Sequence, residues 1–222
     1  MNQFHEEYFE QNYPNYYRQN PRRKLRFYTK VIERNLPDGT PRRIHDMGCA
    51  FGGFVGSLDE DWEIWGSDLS AYAIDRARKE HPRGHFAVGD ASMAPVFDEK
   101  FTVVTAMDVI EHVPDLDAVA ASVRSQLVDG GIFVFVVPVF DGLSGPVIRL
   151  LDSDETHIHK WARRKWFKWV ESIDFELLEW QGMMRYLLPG IPYYVHIPTR
   201  LFRHHTPSVI VACRPRHQAQ SS

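Results

Sequence analysis

The sequence predicts one α/β domain whose core is a mostly parallel, doubly wound sheet. Segments typical of strands and of helices alternate along most of the chain, and the strand segments are short and apolar, as expected for strands buried on both faces. The chain has 222 residues, of which 44% are hydrophobic and 25% are charged. That length and composition suit a single soluble domain with a full hydrophobic core.

Charge and polarity narrow the class of protein. A net charge of −3 does not favour binding to nucleic acid, and no run of about 18 apolar residues predicts a membrane-spanning helix. Residues 1–11 are polar and acidic and lack the basic and then apolar order of a signal peptide. We therefore expect Cys49 and Cys213 to be reduced thiols of a cytoplasmic protein.

Residues 1–40 predict a helical cap before the first strand. Asn20 and Pro21 are typical of a helix N-cap followed by the first helical residue, and Pro37 begins the turn that ends this helix. Apolar residues recur between them at helical spacing: Leu25, Tyr28, Ile32 and Leu36. The many aromatic residues of segment 4–17 are consistent either with a lid over a binding site or with packing against the sheet.

Residues 41–214 predict the main domain. Its first five strands are expected at residues 43–47, 63–68, 85–89, 101–107 and 132–137. Between them, a Gly-rich turn opens a helix that continues to about Leu58, and Ser70 caps a second helix. An apolar stripe over residues 116–127 predicts a third helix, which Gly130 and Gly131 end.

The last third of the chain is less regular. Apolar residues at helical spacing predict one more helix: Trp166, Trp169, Val170 and Ile173. Residues 175–180 and 208–213 predict the final two strands, and residues 183–206 form a proline-rich insertion between them. Long connections in compact domains are often functional. Residues 215–222 are expected to be a disordered tail.

Residues 44–54 predict a strand, a Gly-rich turn and a helix N-terminus, an arrangement in which backbone can lie against a nucleotide-like ligand. A dinucleotide fingerprint has glycine where this chain has Ala50, whose methyl group would crowd a pyrophosphate. Asp46 places a carboxylate at the strand end, where it suits a cationic amine better than a phosphate. Both residues argue against a nicotinamide-dependent oxidoreductase.

The segment Asp46-Met-Gly48-Cys-Ala50-Phe-Gly52 resembles motif I of class I S-adenosylmethionine-dependent methyltransferases, D/E-x-G-x-G-x-G, and departs from it at Ala50. Three further matches follow in order. Asp68 ends the second strand, 22 residues beyond Asp46, although dehydrogenases share this acidic position. Gly89-Asp90-Ala91 follows the third strand. Residues 107–113, with their Glu-His-Val ending, resemble small-molecule methyltransferases of ubiquinone and menaquinone biosynthesis.

This resemblance implies a Rossmann-like sheet of seven strands in the order 3-2-1-4-5-7-6, with the last strand antiparallel. It also implies S-adenosylmethionine as cofactor and S-adenosylhomocysteine as product. Asp46 would bind the methionyl amine, Asp68 the ribose and Asp90 the adenine. The full set of cofactor-binding residues implied is Asp46, Gly48, Cys49, Ala50, Gly52, Asp68, Leu69, Asp90, Ala91, Met107 and Asp108.

Candidate catalytic residues are histidines, because a hydroxyl nucleophile benefits from a base with a pKa near neutral. His112 follows the fourth strand. His157 lies in segment 154–160, which resembles a Thr-His segment that follows strand five in related enzymes, and His159 is the weaker candidate. A structural role is the alternative for each. The His-x-His spacing could suggest a metal, but because no cysteine or acidic ligand set stands at a recognisable spacing, we predict no metal site.

The sequence therefore predicts methyl transfer to a small-molecule acceptor, by in-line displacement, with oxygen favoured and nitrogen or carbon open. The alternatives are a non-catalytic binding protein of the same fold and, less favoured, an NAD(P)-dependent oxidoreductase. We expect no nucleic-acid partner. The basic residues at the start of the first long helix predict a solvated face, with an anionic ligand as the alternative: Arg22, Arg23, Lys24 and Arg26.

Overall fold

A computed structural model describes residues 16–142, 145, 156–187, 194–199 and 203–216 of the chain. Most of the aromatic segment 4–17, residues 154 and 155, and the tail from residue 217 onward lie outside the described residues. No helix in the described part of the chain is long and apolar enough to cross a membrane.

Helices and strands alternate as the sequence predicts. The helices are α1 (Tyr16–Gln19), α2 (Arg22–Asn35), α3 (Ala71–Glu80), α4 (Leu116–Gln126) and α5 (Arg163–Ser172). The strands are β1 (Arg43–Met47), β2 (Glu63–Asp68), β3 (His85–Val88), β4 (Phe101–Met107), β5 (Leu127–Pro138), β6 (Phe175–Leu187), β7 (Tyr194–Thr199) and β8 (Ser208–Pro215). Short 3₁₀ turns occupy Val55–Ser57, Ile110–His112 and Arg203–His205.

The described strands form one sheet in the order β3-β2-β1-β4-β5-β8-β6-β7. Strands β1 to β5 pair in parallel, whereas β8 is antiparallel to both β5 and β6. The mostly parallel α/β architecture is therefore confirmed. The order differs from the expected one only by an eighth strand, β7, at the edge beside β6.

The extra strand corrects the prediction that residues 183–206 form an irregular insertion. β6 continues to Leu187 and pairs antiparallel with β7 over six residue pairs, from Gly182–Thr199 to Leu187–Tyr194. Pro198 argued against a strand here. In an edge strand, however, the missing N–H of proline costs no ladder hydrogen bond when it faces outward, so the proline is tolerated.

Three helix boundaries also differ from the prediction. The helix expected up to Leu58 is only the 3₁₀ turn Val55–Ser57, and a Cβ at Gly56 would lie 2.2 Å from the His81 ring, so this turn packs too tightly for longer side chains. Pro21 is the N-cap of α2 rather than its first residue. Helix α4 ends at Gln126. The glycine pair Gly130-Gly131, which was expected to end it, lies instead within β5, where the pairing with β4 changes register.

Helices cover both faces of the sheet. Helices α4 and α5 pack on one face, and α2 and α3 on the other. The apolar side of α2 is buried in the hydrophobic core on the α2–α3 face of the sheet, and Tyr28, Val31 and Ile32 are at most 1% exposed. The predicted N-terminal cap is thus packed onto the sheet. The strand order reverses between β1 and β4, and ligands of such sheets bind at the carboxyl ends of the strands at that point.

Candidate functional site

A cavity of about 430 Å³ opens at the carboxyl ends of β1, β2, β3 and β4. Every predicted cofactor-binding residue except Gly52 lines it: Asp46, Gly48, Cys49, Ala50, Asp68, Leu69, Asp90, Ala91, Met107 and Asp108. These residues come together because they follow neighbouring parallel strands, whose carboxyl ends meet at one edge of the sheet. Gly52 instead packs against His81 and Phe86, where a Cβ would lie 3.0 Å from each ring.

Asp46, in β1, provides a buried carboxylate to this cavity. Asp46 is 3% exposed, and Thr105 Oγ1 donates a hydrogen bond of 2.6 Å to Asp46 Oδ1. Burial and, to a smaller extent, the nearby carboxylate of Asp68 raise the pKa of Asp46 to about 7, although the hydrogen bond from Thr105 opposes the rise. Such a carboxylate strongly favours a cation beside it.

The turn after β1 is held by the end of β2. The backbone N–H groups of Gly48 and Cys49 both donate to the Ser67 carbonyl, at 2.7 and 2.9 Å. Gly48 has a φ of +73°, and a Cβ added there would lie 2.3 Å from Cγ2 of Val109. Left-handed backbone and this close approach both require glycine. The turn is therefore fixed in the conformation that forms the cavity wall.

Replacing Gly48 with alanine should destabilise the fold through both effects. Gly39, with a φ of +75° and nothing within 4 Å of an added Cβ, offers a matched control for backbone strain alone. We expect Gly39→Ala to cost about 1–2 kcal/mol and Gly48→Ala to cost roughly 1–3 kcal/mol more, from the clash with Val109. Urea denaturation of both variants measures the difference, and equal losses would contradict the packing argument.

Ala50, the departure from the family motif, adopts a φ of +47°. Its backbone N–H donates to Asp68 Oδ2 at 2.9 Å, while Ser70 N–H donates to the other oxygen at 2.9 Å. Burial raises the pKa of Asp68, and these two amide bonds oppose that rise. Asp68 therefore faces the cavity and also ties the turn after β1 to the start of α3.

Asp90 and Asp108 are the other two acidic residues that line the cavity, besides Asp46 and Asp68. Both the N–H and the hydroxyl of Ser92 donate to Asp90 Oδ1, at 2.8 and 2.7 Å, which fixes the turn after β3. Asp108 has a φ of +61° directly after β4, and its N–H donates to the Val136 carbonyl at 2.9 Å. Strained backbone of this kind often occurs at functional sites.

The segment from α1 to the middle of α2, which the sequence left open as a lid or as packing, contributes a wall of the cavity. The residues of this wall are Tyr16, Gln19, Asn20, Lys24, Leu25 and Tyr28. Lys24 is 5% exposed, and its Nζ donates to the Gln19 carbonyl and to Asn20 Oδ1. The expected solvated face is thus wrong for Lys24. Its i,i+4 spacing to the buried Tyr28 was the signal that could have placed it inward.

Tyr16 links this wall to the Gly-rich turn. Its hydroxyl oxygen accepts a hydrogen bond of 3.2 Å from Gly53 N–H, and its ring lies 4.8 Å from the ring of Phe51. Burial raises the pKa of the Tyr16 hydroxyl, which stays neutral. The end of the aromatic segment at Tyr16 therefore both lines the cavity and packs against the domain, and the rest of the segment lies outside the described residues.

The candidate catalytic histidines lie side by side. His112 lines the cavity, and the ring of His157 lies 4.7 Å from it, centre to centre, although His157 does not line the cavity itself. Thr156 Oγ1 is 2.9 Å from His112 Nδ1. His159 has a structural contact, since its Nε2 donates to the Val113 carbonyl at 2.8 Å.

The fold adds an acidic residue that the spacing alone did not reveal. Glu111 is fully buried, and one ligand atom from each of Glu111, His112 and His157 lies within 4.8 Å of the others. The backbone of the same residue anchors the segment that carries His157, because its carbonyl accepts from Ile158 and His159 N–H, each at 3.1 Å.

Comparison with known proteins gives a family match over most of the chain. The model of a family described as "methyltransferase domain" matches residues 16–179. An S-adenosylmethionine-dependent methyltransferase from Clostridium acetobutylicum is 15% identical, with 95% of this chain and 96% of that chain covered and a TM-score of 0.65. One from Thermotoga maritima is 16% identical, with 94% and 98% covered and a TM-score of 0.68.

A third similar structure was solved with a bound ligand. The glycopeptide N-methyltransferase MtfA, in complex with sinefungin, is 16% identical, with 87% of each chain covered and a TM-score of 0.60. At identities of 15–16%, the structural matches establish a common fold only. The evidence for membership of a family is the match of the family model to residues 16–179.

Proposed function

Because the chain belongs to the methyltransferase domain family and is an S-adenosylmethionine-dependent methyltransferase, we propose that it transfers the methyl group to an oxygen of a small-molecule acceptor. The observation that carries the choice of oxygen is the histidine pair, because the rings of His112 and His157 lie 4.7 Å apart at this site. The carboxylates Asp46 and Asp68, at the carboxyl ends of adjacent strands on one cavity, support the cofactor. When bound, the cofactor supplies an electrophilic methyl group on a sulfonium.

The residues present fit that cofactor. Burying a carboxylate is costly without an opposite charge, and the cofactor offers a cationic amine and a sulfonium to Asp46, whose residue is 3% exposed. The cavity volume of about 430 Å³ lies within the usual range for ligand sites. The turn of Gly48, Cys49 and Ala50 carries no charge and has small side chains, so a cofactor that has no phosphate can lie close to its backbone.

We assign the remaining contacts by position along the sheet. Asp68 and Leu69, after β2, would bind the ribose, and Asp90 and Ala91, after β3, the adenine. Met107 and Asp108, after β4, would border the methionyl part. Gly52 supports the turn by packing rather than by direct contact.

The acceptor would bind at the other end of the cavity, between α1–α2 and the turn after β4. His112, Val113 and Pro114, from the turn after β4, line the cavity, as do Lys24 and Tyr28 of α2. His112 at this end, with the ring of His157 4.7 Å from it, supports a hydroxyl acceptor, which we propose the pair activates. Nitrogen acceptors need less activation, so this pair favours oxygen.

Two further expectations stay as proposals. The buried free thiols of Cys49 and Cys213 are consistent with a reducing compartment such as the cytoplasm. The net charge of −3 supports a small-molecule acceptor over a nucleic acid.

Calorimetric titration with S-adenosylhomocysteine tests the proposed cofactor site, with NAD(H) as the control ligand. We expect micromolar binding of the first and no binding of the second. Binding of NAD(H) alone would overturn the assignment of the cavity. Binding of S-adenosylhomocysteine without turnover of any hydroxyl-bearing acceptor would favour a non-catalytic binding protein.

A further inference from the structure

We propose that Glu111, His112 and His157 bind a divalent transition metal ion, with Zn²⁺ the best fit, at the acceptor end of the cavity. The role we give the ion rests on the proposed function, because it would hold and activate the oxygen that accepts the methyl group. The binding site itself is argued from the geometry of the three side chains.

The three ligand atoms already converge. They all lie within 4.8 Å of one another, and a tetrahedral Zn²⁺ with bonds of about 2.0–2.1 Å has its ligand atoms roughly 3.3 Å apart. The present spacing is therefore within about 1.5 Å of the spacing that a bound ion needs. Two imidazoles and one carboxylate form a ligand set used by catalytic zinc sites, whereas Mg²⁺ and Ca²⁺ prefer oxygen ligands alone.

The burial of Glu111 supports a cation at this position. The residue is 0% exposed, and a carboxylate in the low-dielectric interior attracts a nearby cation more strongly than one in water does. Glu111 also sits on the turn directly after β4, so its position is fixed by the central strand of the sheet.

The surroundings fix the orientation of the ligands. The hydroxyl of Thr156 lies 2.9 Å from Nδ1 of His112, and such a partner on one ring nitrogen typically orients a metal-binding imidazole. The two chain segments that carry the ligands are joined by the hydrogen bonds from Ile158 and His159 N–H to the Glu111 carbonyl. The ligands therefore come from distant parts of the sequence but from one rigid unit.

The position of the site explains what the ion would do. Because His112 lines the cavity, an ion held by these three ligands would lie beside the acceptor end. It would lower the pKa of an acceptor hydroxyl there, and the proton would leave to water. The acceptor oxygen would then bond to the methyl carbon while the carbon–sulfur bond breaks and its electron pair stays on sulfur. The products are a methyl ether and S-adenosylhomocysteine.

Metal binding can be measured without activity. We would strip the full-length protein with a chelator and titrate it with Zn²⁺ by calorimetry and with Co²⁺ by visible absorption. We expect one ion per chain with micromolar or tighter affinity. His157→Ala and, separately, Glu111→Gln should each weaken Zn²⁺ binding at least tenfold. The exposed His204, which packs on Trp180, provides the matched control, and His204→Ala should bind as the unmodified chain does.

Absence of Zn²⁺ and Co²⁺ binding by the folded chain, or binding unchanged in His157→Ala, would overturn the metal site. Titration of S-adenosylhomocysteine into the same samples separates the two proposals. Cofactor binding without metal binding would leave the proposed methyl transfer standing with the histidines acting directly. Metal binding without cofactor binding would support the ion site and refute the proposed cofactor site. Because His157 does not line the cavity, His157→Ala should keep its affinity for S-adenosylhomocysteine.

Discussion

Replacing Asp68 with alanine should weaken the binding of S-adenosylhomocysteine by about 1–3 kcal/mol, which is roughly five- to 150-fold in affinity. The substitution removes the carboxylate proposed to accept two hydrogen bonds from the ribose. It also removes the acceptor for the backbone N–H groups of Ala50 and Ser70, each bonded at 2.9 Å. Because Ala50 has a φ of +47°, its turn depends on such contacts more than a glycine turn would.

The measurement is calorimetry with S-adenosylhomocysteine, with thermal denaturation to show that the variant is folded. Asp75 gives a matched control, since it lies exposed on α3 and pairs with Arg78 at 3.3 Å, an ion pair of little energetic value. Asp75→Ala should leave the affinity unchanged. A folded Asp68→Ala variant with unaltered affinity would remove Asp68 from the cofactor site.

The strands around the site could be predicted from the sequence because their signal is local. The bounds of β1, β2 and β4 agree with the prediction to the residue, since each is a short segment bounded by turn-forming or small residues. Parallel strands align their carboxyl ends, so acidic residues at those ends were expected to meet. The resemblance to motif I pointed to the same residues, and ten of them line one cavity.

The features that sequence reasoning missed depend on contacts between distant segments. Nothing local shows that Glu111 would lie beside His157, because the two are brought together by hydrogen bonds between the turn after β4 and segment 156–159. Lys24 is a different case, because its charge suggested solvent although its local spacing to Tyr28 on α2 places it in the cavity wall. Strand β7 could not be predicted because its segment is rich in proline. A proline removes a ladder hydrogen bond in the interior of a sheet but is tolerated in an edge strand, and the sequence does not show which case applies.

Asp46→Asn should raise the free energy of unfolding of the protein at pH 8 and at the same time weaken its binding of the cofactor. The pKa of Asp46 is raised from 3.8 to about 7 in the folded protein, so the folded state holds this proton more tightly than the unfolded state does. Between pH 4 and pH 7 the folded state binds more protons, and stability therefore falls as pH rises through that interval and stays low above it. At about 1.4 kcal/mol per pKa unit, this loss is at most about 4 kcal/mol.

Asparagine has no such ionisation and can still accept the hydrogen bond from Thr105. We therefore expect Asp46→Asn, without ligand, to be more stable than the unmodified chain at pH 8, with the difference shrinking toward pH 5. Urea denaturation at the two pH values measures it, and Asp98→Asn, at an exposed position, should show no such trend. A variant that is less stable at pH 8 would contradict the cost of burying this carboxylate.

Binding should change in the opposite direction. The cationic amine of the cofactor favours the ionised form of Asp46, so the unmodified chain should bind S-adenosylhomocysteine less tightly as pH falls below about 7. Asp46→Asn should bind more than tenfold more weakly at pH 8 and lose this pH dependence. A more stable variant with lost affinity would show that the chain keeps a destabilising carboxylate because the ligand needs it, whereas unchanged affinity would place the amine elsewhere.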